Sequence, residues 1–356
     1  MLLGLLLAVL LLSIYGVRLD VNGFHDDYLA KKKTDSIKGI FILLVFLSHS
    51  LRYVSKSGYP FAGLGDSAYC SFFAVLTQLT VVMFLFYSGY GVYESLKTRG
   101  WDYVKKMPWR RLLTTLLNFD VAVVIYVLLC LALGITITLK EGLIALTAWQ
   151  CIGLDQWGIF FMDNWYIFVI LLCYLATYIV LRSQSRKRLF HVVGIFALCL
   201  SGVVALAQSR GNFWYNTLLC FPLGVLYSAY KEPIEAFLKR YYWAALAVSV
   251  TLLAAIFVLF STVALPNLYQ LPNNIFCMVF AMVVVITTMK FGIGNPVLHW
   301  LGGHLFPIFI YMRLPMIFME YQSPSIISTY PLLFILTSLA VTLLIAHFYK
   351  HCEIRL

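Results

Sequence analysis

Residues 35–49 read DSIKGIFILLVFLSH. They place Lys38 and His49 eleven positions apart, with only uncharged and mostly apolar residues between them. Eleven steps of about 100° bring a helix back to nearly the same face, and at about 1.5 Å per residue they rise roughly 16 Å. The stretch is therefore predicted to be a membrane-spanning helix with a cation near one surface and an imidazole deep on the same face. An ionisable group at that depth is costly and indicates a functional site; the alternative is a packed histidine that hydrogen-bonds a neighbouring helix.

The composition indicates a membrane protein. Of the 356 residues, 62% are hydrophobic and only 12% are charged, and the mean hydropathy is +0.88. Soluble domains carry about twice that share of charge. Apolar runs of about 18 residues or more, long enough to cross about 30 Å of hydrocarbon, recur along the whole chain. The predicted fold class is an all-α, polytopic transmembrane helix bundle in the lipid bilayer, with no room for a sizeable soluble domain.

Eleven spans are predicted, and they divide the chain into four parts. An N-terminal anchor helix, residues 1–17, precedes a polar cytoplasmic strap, residues 18–35. A ten-helix core, residues 36–347, is followed by a cytoplasmic tail, residues 348–356. The predicted spans are 1–17, 36–54, 71–93, 112–136, 164–181, 189–208, 213–230, 242–262, 275–290, 303–320 and 328–347.

The basic residues predict the orientation. Of the 26 lysines and arginines, 21 lie on one side of the membrane when the chain is threaded through the predicted spans. The other five lie on the opposite side or within a span. Basic residues favour the cytoplasmic side, so the N-terminus is predicted outside and the C-terminus inside. This distribution accounts for the net charge of +11, and no nucleic-acid partner is expected. The five other residues are Arg52, Lys56, Lys140, Arg210 and Arg313.

The chain shows no metal or cofactor motif. It contains no Cys-x-x-Cys, no His-Glu-x-x-His and no glycine-rich phosphate loop. Most of its eight cysteines fall within predicted spans, where cysteine behaves as a small hydrophobic residue. We therefore expect no metal site and no bound cofactor.

Several short elements resemble one protein family when they are taken in order. They are Lys38 and His49 with ten residues between them, FLFYSGYG at residues 84–91, WRR at 109–111, NWY at 164–166, and Leu301-Gly302 followed by Ile310-Tyr311. Over residues 35–347 this pattern is similar to the acyltransferase-3 family of polytopic membrane acyltransferases, which has a ten-helix core. Two features differ from the family. Arg313 stands near the position where many members have a histidine, and residues 1–17 form an additional helix.

The resemblance implies transfer of an acyl group, usually acetyl, from cytoplasmic acyl-CoA to a hydroxyl group. The acceptor would be a cell-surface carbohydrate or a lipid-linked glycan, and a homo-oligomer is possible. Such transfer needs a base for the hydroxyl proton and a cation or dipole for the developing oxyanion. His49 is predicted to be the base, although it could instead carry the acyl group transiently. Arg313 is predicted to polarise the thioester or to bind an anionic acceptor; the alternative is an ion pair with Asp120.

The remaining candidates form two sets and a supporting pair. Residues 94–111 are predicted to form a basic loop that either binds the donor or only sets the topology. Trp165 and Tyr166 are predicted to form a sugar-stacking platform or, alternatively, to anchor the chain at the membrane interface. The candidates for acyl-CoA binding are Lys38, Ser88, Tyr90, Lys105, Lys106, Arg110 and Arg111; those for acceptor binding are Arg52, Asn164, Trp165, Tyr166 and Tyr311; Asp35 and Asp120 would support the site.

Two other functions share the predicted topology. A transporter or flippase of glycan intermediates would also contain intramembrane charges, but it would not need the Lys38–His49 helix. A membrane sensor would tolerate the loss of His49. Both remain alternatives at the level of the sequence.

Overall fold

The structure, a computed structural model, describes residues 1–76, 78–146, 165–262 and 270–355. Most of the described chain is helical, because a backbone in hydrocarbon must satisfy its own hydrogen bonds. The elements are α1 (Leu3–Ile14), β1 (Arg18–Leu19), α2 (Lys31–Lys56), α3 (Leu64–Leu76), α4 (Val82–Arg99), α5 (Trp101–Met107), α6 (Thr114–Ala132), α7 (Leu139–Leu146), α8 (Trp165–Leu181), α9 (Arg188–Ser209), α10 (Cys220–Ala229), α11 (Lys231–Arg240), α12 (Tyr242–Thr262), α13 (Gln270–Lys290), β2 (Phe291–Gly292), α14 (Pro296–Gly303), α15 (Leu305–Tyr311), α16 (Arg313–Gln322), α17 (Pro324–Thr329) and α18 (Pro331–Cys352).

The prediction of an all-α polytopic bundle is confirmed. Among the described residues, six helices are long and apolar enough to cross a membrane, or eight if each of two bent pairs is one span. The pairs are α3 with α4 and α14 with α15–α16, each bent by 64°. Three shorter apolar helices, α1, α8 and α10, lie at the positions of the other three predicted spans. The count of eleven spans therefore stays a prediction.

The reading of residues 94–111 as a loop is wrong, because these residues are helical. Helix α4 continues to Arg99, and only Gly100 separates it from α5. Gly100 has a φ of +63°, a backbone conformation that glycine adopts readily. Helix α5 then leads through a π-helical turn at Pro108–Leu113 into α6. Proline lacks the N–H that an α-helix uses at this position, and a wider turn accommodates that loss. The cations of this segment are therefore held on helical faces.

The strap is docked against the protein along much of its length. Strand β1 pairs antiparallel with β2, and the buried ammonium group of Lys290 donates to the backbone oxygens of Asp20, Val21 and Gly23 at 2.9–3.2 Å. The hydroxyl groups of Tyr28 and Tyr227 are hydrogen-bonded at 2.6 Å, and burial is the main cause that raises the pKa of Tyr28 above its usual range. Helix α2 begins at Lys31, within the last residues of the predicted strap.

Two helix crossings bring backbones into direct contact through glycine. In the first, α2 meets α14, where a Cβ on Gly39 would overlap the carbonyl oxygen of Leu298 and a Cβ on Gly302 would overlap that of Asp35. In the second, α4 meets α10 in the same reciprocal way through Gly89 and Gly224. Small residues at such crossings allow the dispersion contacts that drive helix association in membranes. The crossing of α2 and α14 therefore fixes the position of the helix that carries Lys38 and His49.

Replacing Gly302 by alanine is expected to destabilise the protein by about 1–3 kcal/mol. The added methyl group would meet the backbone of Asp35, which cannot turn aside as a side chain could. Thermal unfolding of the purified protein in detergent measures the effect. The adjacent variant Gly303→Ala is the matched control, because a Cβ there has no atom within 4 Å. Equal stability of the two variants would contradict the tight crossing.

Candidate functional site

His49 and Arg313 lie together inside the helix bundle. His49 lies on the last third of α2 and is half-buried, and Arg313 is the first residue of α16 and is 6% exposed. The guanidinium Nε and one terminal nitrogen lie 3.4 and 3.3 Å from His49 Nδ1. These two residues are separated by 264 positions in the chain, and the bend between α14 and α15–α16 brings α16 to this face of α2.

The direction of this contact assigns the imidazole tautomer. A guanidinium group only donates hydrogen bonds, so Nδ1 of His49 must accept. A neutral imidazole with an accepting Nδ1 carries its proton on Nε2. The lone pair that could take a proton is thus on the nitrogen beside Arg313. At 3.3–3.4 Å the contacts are longer than the usual 2.7–3.2 Å, so an incoming hydroxyl group can compete for this nitrogen.

An open cavity leads to Arg313 from the end of α2 that carries Lys56. It has a volume of about 270 Å³, and its lining includes Arg52, Tyr53 and Tyr321. Lys56 and Glu320 form an ion pair of 2.6 Å across it. In the predicted topology this is the outer side of the membrane. Arg52, predicted to bind the acceptor, therefore lies in the same cavity as Arg313.

Lys38 is held by Asp35 at the other end of α2. Its Nζ lies 2.6 Å from one carboxylate oxygen of Asp35, and Lys31 lies 2.6 Å from the other. The Asp35 side chain is almost fully buried, whereas that of Lys38 is 23% exposed. His299 of α14 approaches the same carboxylate at 3.8 Å. Asp35 therefore holds the ammonium group of Lys38 at this end of α2.

The alternative partner of Arg313 is not observed. Asp120 is half-buried on α6, and its Oδ1 has no hydrogen-bond partner among the residues that the structure describes. Within the same residues, no ion pair joins Asp120 to Arg313. The similar membrane depths of Asp120 and Arg313 suggested that pairing. Whether the two side chains face each other depends on how α6 and α16 are rotated, and helix packing sets that rotation.

The other candidates for donor binding are spread over α4, α5 and the π-helical turn that follows α5. Ser88 is half-buried and Tyr90 is buried on α4, where the Tyr90 ring lies 6.4 Å from that of Tyr227. Lys105, Lys106 and Arg110 are exposed. Arg111 instead points inward, with its guanidinium carbon 5.8 Å from the centre of the Tyr174 ring.

The candidates for acceptor binding do not form one platform. Tyr166 is buried, and its ring packs against Phe84 and Phe309, so the prediction of an accessible stacking surface is wrong for this residue. Trp165 is half-buried and packs edge-on against Tyr166. Tyr311 is 1% exposed and packs against Tyr349 of α18. Asn164 lies outside the described residues.

Sequence reasoning missed a second, larger cavity. It has a volume of about 900 Å³ and lies between the strap, α2, α14 and the end of α18. The run Lys31–Lys33 was read as part of a solvated strap, although it forms the first turn of α2 and lines this cavity. The run indicated positive charge, but the lining residues of α14 and α18 that join it, such as His299 and Lys350, are more than 260 positions away in the chain. Among the described residues, no three His, Cys, Asp or Glu side chains are placed to hold a metal ion.

The comparisons with known proteins identify a family. The model of the family described as "Acyltransferase domain" (acyltransferase-3) matches residues 32–349, from the first turn of α2 to the last turn of α18. No curated protein and no solved structure matches the chain.

Proposed function

The chain belongs to this acyltransferase-3 family, and from that premise we propose that it is an acyl-CoA-dependent O-acyltransferase of a bacterial cytoplasmic membrane. The acyl group is acetyl, and the acceptor is a hydroxyl group of a cell-surface or lipid-linked carbohydrate. The observation that carries the proposal is the contact between Arg313 and Nδ1 of His49 at the inner end of an open cavity. A base beside a fixed cation is the pair that acyl transfer to a hydroxyl group requires.

The tautomer of His49 supports a specific sequence of proton transfers. The acceptor hydroxyl group enters from the cavity at Arg52 and donates its proton to Nδ1 as its oxygen attacks the thioester carbon. The carbonyl oxygen becomes an oxyanion, which the Arg313 guanidinium group stabilises. Collapse of this intermediate breaks the carbon–sulfur bond, and the imidazolium returns the proton to the departing thiolate. The products are the ester and free CoA.

The length of α2 supports transfer across the membrane. Lys38 and His49 are separated by roughly 16 Å along the helix axis, which is comparable to an extended pantetheine arm. The donor head would stay on the side predicted to be cytoplasmic, while its thioester reaches His49. The acceptor would approach through the cavity near Lys56.

Transfer from labelled acetyl-CoA tests the function. We expect purified protein in detergent to release CoA and to transfer the labelled acetyl group to an added glycan. The label is followed separately on glycan, protein and water. Glycan binding without release of CoA, across several acyl lengths and acceptors, would contradict the proposal and favour a transporter.

A further inference from the structure

Basic side chains outnumber acidic ones around the 900 Å³ cavity, whose lining contains two carboxylates, Asp27 and Asp35. Its lining includes Arg18 of β1, Lys31, Lys32 and Lys33 of α2, His299 of α14 and Lys350 of α18. These residues come from four elements that the fold brings together at one end of the bundle. The parts of these elements that line the cavity lie on the side that the distribution of basic residues predicts to be cytoplasmic.

Most of this charge is not balanced within the described structure. Asp35, which also lines the cavity, is already paired with Lys31 and Lys38. In the part of the chain that the structure describes, no carboxylate lies within ion-pair distance of Arg18, Lys32, Lys33 or Lys350. Clustered cations without acidic partners repel one another, and an anion among them relieves that repulsion.

The start of α2 also favours an anion in this cavity. Its first turn contains no acidic residue, and no side chain caps it, so the positive end of a 26-residue helix faces the cavity. The His299 side chain lines the cavity as well, with its Nδ1 3.8 Å from Asp35.

We propose that this cavity binds the phosphate groups of a nucleotide, namely the nucleotide end of the acyl-CoA donor. The inference rests on the proposed function and locates its donor site away from α5, where the sequence suggested Lys105 and Lys106. Ligand pockets for small molecules have volumes of about 300–1,000 Å³, and this cavity is within that range. From Asp35 in its wall, α2 rises through 14 residues, or roughly 21 Å, to His49. The pantetheine arm of a nucleotide bound there would have to cover this rise, which is about 5 Å more than the rise between Lys38 and His49.

Binding of CoA to charge-loss variants tests the location. Isothermal titration of the purified protein would compare CoA with pantetheine, which lacks the nucleotide. We expect Lys32→Ala/Lys350→Ala to raise the Kd of CoA by about tenfold or more and to leave the Kd of pantetheine unchanged. Both lysines are exposed at the cavity mouth, so the double variant should fold. Arg186→Ala/Lys187→Ala removes the same charge from an exposed connection outside the cavity and should leave the Kd of CoA unchanged.

Three outcomes would overturn the proposal. The first is an unchanged Kd of CoA in the cavity variant. The second is a raised Kd of CoA in Lys105→Ala/Lys106→Ala and not in the cavity variant, which would place the nucleotide at α5. The third is that phosphatidylglycerol in nanodiscs binds the native protein but not the cavity variant, while both bind CoA equally; the cavity would then hold a lipid phosphate.

Kinetics separate this proposal from the proposed function. If the cavity variant transfers acetyl with a native KM for acetyl-CoA, the nucleotide site is wrong but the acyltransferase remains. If the native protein binds CoA through the cavity but transfers no acyl group, the site is correct and the proposed reaction is wrong.

Discussion

Replacement of His49 by alanine is expected to lower the rate of acyl transfer by a factor of about 100 to 10,000, the usual contribution of a general base. The loss should be in kcat, with little change in the KM for acetyl-CoA, because the proposed site of the donor head lies at the other end of α2, roughly 21 Å from His49. Initial rates with labelled acetyl-CoA measure it. Added imidazole should restore part of the rate, since it can occupy the space beside Arg313 and accept the proton.

The control for this experiment is His351→Ala. His351 is exposed near the end of α18, and its removal should leave both rate and thermal stability at native values. A folded His49→Ala protein with native activity would eliminate the catalytic role of this residue. Mass spectrometry of the native protein, incubated with acetyl-CoA and no acceptor, distinguishes the two roles that the sequence left open. A base stays unmodified, whereas an acyl carrier gains one acetyl group at His49.

Replacement of Arg313 by lysine is expected to lower kcat by about 100- to 1,000-fold, although the positive charge is kept. The guanidinium group reaches His49 Nδ1 with two nitrogens at once, and a compact ammonium group cannot reproduce that planar arrangement. The oxyanion would lose a positioned donor, which typically costs a rate of this size. Turnover of labelled acetyl-CoA measures the effect, and an unchanged KM would place the loss in the transition state.

Two comparison variants make the test of Arg313 specific. Added guanidinium ion should partly restore Arg313→Ala, a variant that leaves open the space of the side chain. Asp120→Asn should keep a rate close to that of the native protein, because no ion pair joins Asp120 to Arg313 in the described ranges. If Asp120→Asn lost most of its rate of acyl transfer while Arg313→Lys kept the native rate, the results would favour the alternative in which Arg313 has a structural role.

Hydropathy predicted the fold class because each membrane helix satisfies its own backbone hydrogen bonds. A span is therefore a local property, visible in about 20 consecutive residues. The same locality explains the relation between Lys38 and His49, which the helical repeat places on one face whatever surrounds them. Hydropathy failed at residues 94–111 for a related reason. Charge in this segment suggested a loop, but an amphipathic helix at a membrane surface tolerates charge on its exposed side.

Which helices pack against each other, and through which faces, could not be predicted from the sequence. Whether Arg313 faces His49 or Asp120 depends on the rotation of α16, and that rotation is set by packing against neighbouring helices. Tyr166 shows the same limit, since its position near a span end suggested an exposed ring, yet Phe84 and Phe309 bury it. The glycines of the family-like elements became informative only in the structure, where Gly89 and Gly302 permit backbone contact.

The sequence by itself determined that this chain is a helical membrane protein with a lysine and a histidine on one face of one span. These features depend on hydrophobicity and on the helical period, both of which act between near neighbours. Only the tertiary structure decided that Arg313 reaches His49 and that Arg18, Lys32, Lys33 and Lys350 surround one cavity. Such groupings join residues hundreds of positions apart. They form because close helix crossings, such as that of α2 and α14 at Gly39 and Gly302, allow only one arrangement of the faces between them.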